Sequence, residues 1–149
     1  MSAAGHSRGR NVRFGVLIVS DAATFILSDA QHEAAIATLT SQGRSVGVCV
    51  VGALQDPRKD VISLRNLFST RIALRLDESD QVDMVLGDGA RDRGALADQI
   101  SADPWTGAGV GYVRLEASPD PVRVRAAYVT DADIMAMADA VGYLPGGGL

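Results

Sequence analysis

The sequence is short of several residue types, and each shortage excludes a class of protein. One cysteine and two histidines stand among 149 residues, so we expect neither a disulfide scaffold nor a structural zinc site. The cysteine, Cys49, lies in an apolar run, where a buried, unpaired thiol in a reducing cytoplasm is expected. No apolar run approaches the roughly 18 residues of a membrane-spanning helix, so none is expected.

Positive charge is also scarce, and nearly all of it is arginine. Of the 14 basic residues, Lys59 is the single lysine, and the net charge is −4. No overall positive field therefore attracts nucleic acid or anionic membrane, and any contact with DNA has to be local. The length suits one domain with a core. We expect a disordered leader at 1–11, the domain at 12–141 and a flexible, glycine-rich tail at 142–149.

Two continuous apolar runs, Arg13–Ser20 and Arg44–Ala53, are typical of strands that are buried on both faces. Between them, a capping-box pattern that starts at Ser28 predicts a helix over about Asp29–Gln42, which Gly43 ends. Strand, helix and strand in this order predict a parallel pair joined by a crossover.

The alternating segment Thr70–Leu76 predicts a third strand, with Arg71 and Arg75 on one face and aliphatic residues on the other. The aliphatic residues are Ile72, Leu74 and Leu76. The remaining predicted elements are helices at about Asp60–Leu67 and Ser79–Leu86, strands within 109–116 and 121–129, and a final helix over about Asp131–Val141. This order predicts an α/β domain with a mostly parallel sheet flanked by helices, a C-terminal β-hairpin and a final helix.

The stretch from Gly43 to Ile100, with QDPRKDV and LFSTRIALRL at its centre, resembles the FtsK/SpoIIIE family of DNA translocases. Within the family it is most similar to the type found in actinobacterial conjugative and integrating elements. The later segment GYVRLEASPDPVRVRAAYVTDADI is similar to the family's closing segment, so the likeness spans about Val12–Val141. It implies a RecA-like P-loop NTPase core, in which a ring of subunits hydrolyses ATP and drives double-stranded DNA through a central channel.

The phosphate-binding loop of such a motor is absent from the sequence. No G-x-x-x-x-G-K-[ST] occurs, and Lys59 follows no glycine-rich segment. The resemblance therefore implies the C-terminal half of a motor, expected to be inactive in isolation. ATP and Mg²⁺ are expected in the complete motor and not in tight complex with this chain alone. The implied partners are double-stranded DNA and either further copies of the chain in a ring or the missing N-terminal half of the motor. The implied location of the chain is the cytoplasm, where other segments or partners could hold it at the membrane.

The first predicted strand delivers Ser20 and Asp21 to the position of the family's paired acids. The resemblance implies that the first acid holds Mg²⁺ through water and that the second polarises the attacking water. If Ser20 stands at the first position, Asp21 takes the second. If Asp21 is the metal ligand, Ala22 leaves the second position empty. One of the two carboxylates is missing in either register, and Asp21 could instead simply cap the loop after the strand.

Gln55 and Arg71 are the other candidate catalytic residues. By resemblance, Gln55 senses the γ-phosphate from the end of the neighbouring strand, although a glutamine there could also satisfy loop backbone. Arg71 is a candidate arginine finger for the nucleotide of the next subunit, and Arg75 is the second candidate. The alternative for both arginines is a solvated pair beside Asp77 and Glu78.

Arg58 and Lys59 are candidate contacts to a DNA backbone or to a neighbouring subunit, although a local salt-bridged turn with the flanking acids explains them equally well. Three functional hypotheses follow from the sequence. The chain is half of a DNA-pumping ATPase, or a catalytically silent interaction module of a translocase ring, or an unrelated α/β domain that binds a small molecule. The third requires the long match around LFSTRIALRL to be accidental.

Overall fold

The computed structural model describes residues 15–19, 30–57 and 65–142, with the backbone alone for 15–19. Of the predicted site residues, Ser20, Asp21, Arg58 and Lys59 lie outside the described residues, as does most of the helix predicted at Asp60–Leu67. The strands are β1 (Gly15–Val19), β2 (Val48–Gly52), β3 (Arg71–Ala73), β4 (Val110–Arg114) and β5 (Val122–Arg125). The helices are α1 (Ala30–Gln42), α2 (Ser79–Leu86) and α3 (Asp131–Gly142), with short 3-10 segments at Gly43–Val46 and Ala97–Gln99.

β1 and β2 form the predicted parallel pair, with α1 as the crossover between them. Gly15 lies opposite Val48 at one end of the pair, and Val19 lies opposite Gly52 at the other. On α1, Ile36 is 3% exposed and packs against Val50 of β2. The β1–α1–β2 unit is therefore confirmed.

β2 is covered on one face only, which corrects the prediction for Cys49. Val48 and Val50 are half-buried, whereas Cys49 and Val51 between and beyond them are exposed. Side chains of a strand alternate between its two faces, and α1 packs against the face that carries Val50. The expectation of a buried thiol was wrong because no described element covers the other face.

The end of α1 differs from the prediction in the role of Gly43. The helix does stop at Gln42, but the left-handed residue is Gly47 (φ 77), after a 3-10 turn that begins at Gly43. Gly43 is buried, and a Cβ there would lie 2.9 Å from the carbonyl oxygen of Val48. Glycine is needed at this position for close approach to β2, and the change of direction is made four residues later.

The second sheet is antiparallel and contains three strands in the order β3–β4–β5. The predicted hairpin is β4–β5, in which Val113 lies opposite Val122. The α/β class is confirmed, but the described strands form one parallel pair and one antiparallel sheet instead of a mostly parallel sheet. The reason is that the segment after α2 returns the chain to the carboxyl end of β3, where Ala73 pairs with Tyr112.

α2 and the loop behind it form the larger core against one face of this sheet. Val82 and Leu86 of α2 are fully buried, and Ala73 of β3 is 2% exposed. The other members of this core are Ala90, Ala95, Ala97, Ile100, Val110 and Tyr112. The three alanines among them are small, which lets the loop lie close to the sheet.

The core reverses the predicted faces of β3. Ile72 and Leu74 are 59% and 61% exposed, while Ala73 between them faces α2. Regular strand geometry ends at Ala73, so Leu76 can turn back and pack against the core. Arg71, two residues before Ala73, therefore lies on the face that carries α2, and not on an open polar face as predicted.

The loop after α2 is fixed by charged side chains. Asp83 accepts hydrogen bonds from the backbone N–H groups of Gly89 (3.1 Å) and Arg91 (2.9 Å). The Arg91 guanidinium donates to both oxygens of Asp98, with Nε 3.3 Å from Oδ1 and Nη2 2.9 Å from Oδ2. This ion pair holds the pKa of Asp98 below its usual range, chiefly through the hydrogen bond from Arg91.

The C-terminal helix α3 makes little contact with the rest of the molecule. Every residue of α3 from 131 to 140 is exposed, including Ile134, Met135 and Met137. Thr130 and Asp133 cap the helix start, because the Thr130 hydroxyl oxygen accepts from the Asp133 N–H at 3.2 Å and the Asp133 carboxylate accepts from the Thr130 N–H at 2.9 Å. Within the described ranges, no helix is both long and apolar enough to cross a bilayer.

Candidate functional site

Three arginines meet at the carboxyl end of α2, and we call Arg65, Arg71 and Arg114 the arginine cluster. Arg71 and Arg114 lie directly opposite each other on β3 and β4, on the α2 face of the sheet. Arg65 reaches the same place from the segment before β3. All three side chains are half-buried. Like charges placed directly opposite on neighbouring strands are destabilising, so this arrangement needs nearby groups that compensate the positive charge.

The carbonyl groups at the end of α2 supply part of this compensation. Arg65 Nη1 donates to the carbonyl oxygens of Met84 (2.7 Å) and Asp83 (3.4 Å), and Arg114 Nη1 donates to Leu86 (3.2 Å). The last carbonyls of a helix lack partners within the helix, and its carboxyl end carries a partial negative charge. Arg65 and Arg114 therefore cap α2.

Arg71 has a different set of contacts. Its Nε donates to the carbonyl oxygen of Phe68 at 3.1 Å, and its two terminal nitrogens make no hydrogen bond to the described residues. The pKa of Arg71 is lowered first by burial and then by the charges of Arg114 and Arg65. Arginine nevertheless stays protonated at neutral pH. Arg71 is thus a cation whose donating end is not used by the described part of the chain.

The cluster carries more positive charge than the described residues around it neutralise. The described ion pairs involve other arginines, at Arg44–Glu116, Arg75–Asp77, Arg91–Asp98 and Arg93–Asp120. A helix end offers about half an elementary charge, against three cations. The Nε atoms of Arg65 and Arg114 are also buried without a described partner. The cluster therefore has the charge and the free donors to bind an anion.

Gly87, which ends α2, makes room for this cluster. Its φ is 101° and its ψ is 157°, a conformation that favours glycine. A Cβ at Gly87 would lie 2.8 Å from Arg114 Nη1 and 3.6 Å from Arg71 Nη1. The two guanidinium groups thus converge on a position that only glycine leaves open. Such forked donors match the oxygens of a phosphate or a carboxylate.

Gln55 lies at a different place, beside the amino end of α2. It is exposed just beyond β2 and lines a cavity of about 180 Å³. The other lining residues are Asp56, Arg75, Leu76, Asp77 and Gln81. Gln81 is 5% exposed, and its side-chain oxygen accepts from the backbone N–H groups of Asp77 and Glu78, both at 3.2 Å. The hydrogen bonds of Gln81 at the start of α2 therefore hold in place the polar side of the cavity that Gln55 lines.

The structure does not bring Gln55 and Arg71 into one site. α2 has eight residues and is about 12 Å long, with the Gln55 cavity at its start and the arginine cluster at its end. Arg75 lies at the Gln55 cavity, paired with Asp77 at 3.3 Å, and is thus separated from the arginine cluster that contains Arg71. The two predicted residues can act on one nucleotide only from opposite sides, or on two different nucleotides.

The remaining predictions for the site concern residues that are not described. Ser20 and Asp21, expected to bind nucleotide and Mg²⁺, follow β1 beyond its last described residue. Arg58 and Lys59 fall in the gap at 58–64. In the described part of the chain, no three His, Cys, Asp or Glu side chains are grouped so as to hold a metal ion. These expectations stay predictions.

This chain is similar to known proteins in its fold. No protein-family model and no curated protein matches the chain. One of the solved structures with a similar fold is the cytoplasmic domain of the type VII secretion ATPase EccC from Thermomonospora curvata, with a TM-score of 0.63 and 24% identity. The match covers 90% of this chain and 15% of that chain.

This match shows a shared fold and does not single out the DNA translocases. At 24% identity the likeness concerns the fold. The chain spans about 15% of the length of the EccC chain.

Proposed function

We propose that this chain is the C-terminal half of an ATP-driven motor of the FtsK/SpoIIIE type. In this proposal it contributes Arg71 to ATP hydrolysis at a nucleotide held by another subunit. The observation that carries the proposal is the arginine cluster, a half-buried group of three cations without a described carboxylate partner. The fold shared with a motor ATPase supplies the context.

The chemistry of phosphoryl transfer explains why such a cluster is useful. Negative charge is spread over the oxygens of the transferred phosphoryl group, and an arginine supplied from a neighbouring subunit stabilises it. Arg71 offers two terminal nitrogens for this contact that no described residue occupies. Arg65 and Arg114 are tied to the end of α2, so their role is to position Arg71 and to keep the local potential positive.

The other predicted residues belong to the nucleotide on the opposite side of the chain. Gln55 is proposed to sense its γ-phosphate from the end of β2, since an amide both donates and accepts hydrogen bonds. Asp21, with Ser20, is proposed to hold Mg²⁺ or to orient the attacking water. The bound magnesium would neutralise phosphate charge. The phosphate loop has to come from another segment, so the isolated chain is expected not to hydrolyse ATP.

The proposed cargo is double-stranded DNA, contacted by Arg58 and Lys59, and the proposed location is the cytoplasm. The net charge of −4 predicts weak, salt-sensitive binding by the chain alone. The similarity to a secretion ATPase favours a second candidate, a motor module of a secretion system. A third, a silent assembly module of a motor ring, is favoured by the missing phosphate loop and the single carboxylate at Ser20-Asp21.

A chimaera tests these functions. The stretch of the EccC cytoplasmic domain that this chain matches is replaced by this chain, and ATP turnover is measured with and without duplex DNA. Turnover that requires this chain supports the motor function, and stimulation by DNA supports the translocase. A folded chimaera without turnover, next to an active parent, favours the silent module and contradicts the main proposal.

A further inference from the structure

We propose that an open cavity between the 96–106 segment and the β4–β5 hairpin is a binding site for a small monocarboxylate with an apolar body. The cavity has a volume of about 320 Å³, which is at the small end of the range for ligand sites. None of its lining residues belongs to the arginine cluster or to the Gln55 cavity, so the proposal goes beyond the ATP-linked function. The lining residues are Leu96, Gln99, Ile100, Ser101, Thr106, Tyr112 and Arg123.

The hydroxyl of Tyr112 is the observation from which the proposal starts. Tyr112 is 7% exposed and belongs to the larger core, yet it also lines the cavity. Its hydroxyl makes no hydrogen bond to the residues that the structure describes. Because a buried tyrosine ordinarily pairs its hydroxyl, such a group at the wall of a cavity indicates a partner within the cavity.

Arg123 adds a positive charge next to this tyrosine. It lies directly opposite Tyr112, on β5, so both side chains are on the α2 face of the sheet. Among the described residues the Arg123 guanidinium has no ion pair and no hydrogen bond. Arg125, two residues further along β5, instead donates to the carbonyl oxygen of Trp105 at 2.8 Å. The donors of Arg123 are therefore available to a ligand.

The exposed rim of the cavity offers hydrogen-bond donors and no carboxylate. Ser101 Oγ accepts from the Asp103 N–H at 3.1 Å and from the Thr106 hydroxyl at 2.9 Å, which leaves the Ser101 proton to donate into the cavity. The Gln99 amide supplies a further donor. None of the lining residues is acidic. One cation among neutral donors matches a single carboxylate better than a dianionic phosphate.

The inner part of the cavity is apolar. Ile100 is 8% exposed, and the half-buried Leu96 packs against the same core. A ligand whose carboxylate lies at Arg123 and Tyr112 can therefore place an aliphatic group against Leu96 and Ile100. This division into a polar rim with few, placed donors and an apolar floor is typical of sites for small organic ligands.

The wall that carries Ser101 and Thr106 is held in place by its own hydrogen bonds. Asp103 Oδ1 accepts from the N–H groups of Trp105 at 3.0 Å and Thr106 at 2.9 Å. A Cβ on Gly107 would collide with the carbonyl oxygen of Ser101, so the segment folds back on itself as closely as glycine allows. A wall that is already formed lowers the entropy cost of binding.

The test is a titration of the complete, isotope-labelled chain with isocaproate, a branched aliphatic monocarboxylate, followed by amide chemical shifts. We expect saturable shifts at 99–101, 106, 112 and 123, with a dissociation constant of about 1 mM for a ligand of this size. Isocaproamide has the same shape without the charge and should bind at least tenfold more weakly. Inorganic phosphate should also bind more weakly.

Four outcomes of this titration overturn the proposal. They are the absence of saturation at about 20 mM isocaproate, equal binding of isocaproamide, tighter binding of phosphate, and tighter binding of N-acetylleucine. The last compound presents a carboxylate and an aliphatic group as the end of a polypeptide does, so its tighter binding would replace the free acid with a peptide terminus.

Matched substitutions locate the carboxylate. Tyr112→Phe removes only the unpaired hydroxyl, and Arg123→Met removes the cation, so each should weaken isocaproate binding about tenfold. Arg125→Met makes the same change of charge on the same face of β5, outside the cavity lining, and should leave the affinity almost unchanged. The amide spectrum of each variant shows whether it folds. Equal effects of the two arginine variants overturn the proposal, as does full affinity in Tyr112→Phe.

Arg71→Met separates this site from the arginine cluster. Tyr112 and Arg114 are about 7 Å apart along β4, so an anion bound at the cluster would also shift the signals of Tyr112. Isocaproate should bind Arg71→Met as it binds the parent chain. A loss of binding in Arg71→Met would place the ligand at the cluster and overturn the proposal, whereas a chimaera without ATP turnover contradicts only the proposed function.

Discussion

Arg71 and Arg114 lie directly opposite each other on neighbouring antiparallel strands, with their guanidinium groups converging beside Gly87. Two like charges in such a register repel each other, and burial adds to the cost. Arg114 is compensated by the end of α2, whereas the terminal nitrogens of Arg71 have no described acceptor. The pair is therefore the part of the described structure at which the proposed anion would bind.

Arg65 and Arg71 should differ sharply in their contribution to stability. Arg65→Ala removes contacts to two carbonyls at the end of α2 and should lower the free energy of unfolding by about 1–2 kcal/mol. Arg71→Met loses one hydrogen bond to Phe68 but relieves repulsion from Arg65 and Arg114. Its free energy of unfolding should stay within about 0.5 kcal/mol of the parent. Urea unfolding of the two variants measures both. A larger loss for Arg71→Met would make Arg71 a structural residue.

Gly87 should be intolerant of alanine for two separable reasons. Its positive φ predicts strain of about 1–3 kcal/mol, and the new Cβ would also collide with Arg114. Gly94→Ala is the control, because Gly94 has a φ of 99° but nothing within 4 Å of the added Cβ. Unfolding measurements should show the greater loss for Gly87→Ala.

The additional loss of stability in Gly87→Ala, relative to Gly94→Ala, should disappear when Arg114→Ala is also present. The side chain with which the new Cβ would collide is then absent, so the two changes are not additive. Equal losses for Gly87→Ala and Gly94→Ala would show that the arginine side chains do not crowd this position.

The arginine cluster should bind polyphosphate even without a complete motor. With a dissociation constant of about 1 mM, about 10 mM tripolyphosphate would raise the free energy of unfolding by about 1.4 kcal/mol. Sodium chloride at the same ionic strength separates this effect from general screening. Arg71→Met should abolish the stabilisation, and Arg75→Ala should keep it, because Arg75 already pairs with Asp77. Stabilisation that survives Arg71→Met would place the anion elsewhere.

The ion pair of Arg91 with Asp98 predicts a loss of stability in acid. The pKa of Asp98 is lowered in the folded chain by the Arg91 hydrogen bond, so its contribution is complete above the ordinary carboxyl pKa of about 3.9. That contribution is lost as the pH falls through the lower, folded pKa. The difference in unfolding free energy between the parent and Asp98→Asn should therefore shrink from pH 6 towards pH 2. A difference that is constant with pH would contradict the assignment.

The sequence predicted the β1–α1–β2 unit because its signals are local. Continuous apolar runs and a capping box do not depend on the rest of the chain. The faces of β3 were predicted wrongly because alternation identifies which residues share a face, but not which face is covered. Ala73 is small enough to lie beneath α2, and the larger Ile72 and Leu74 were left on the uncovered face.

The arginine cluster could not be predicted in full for a related reason. Arg71 was singled out by resemblance, whereas Arg114 joins it only through the register of β3 with β4. Arg65 joins it only through its contacts to the end of α2. Neither the strand register nor the helix contact leaves a periodic signal in the sequence.

The most direct test of the account is ATP turnover by the EccC chimaera that carries Arg71→Ala. The account predicts a loss of several orders of magnitude in turnover, as expected for removal of an arginine that stabilises phosphoryl transfer, with nucleotide binding much less affected. Arg75→Ala in the same chimaera should have the smaller effect. Turnover that is unchanged by Arg71→Ala, in a chimaera that folds and binds ATP, would contradict the catalytic role of Arg71.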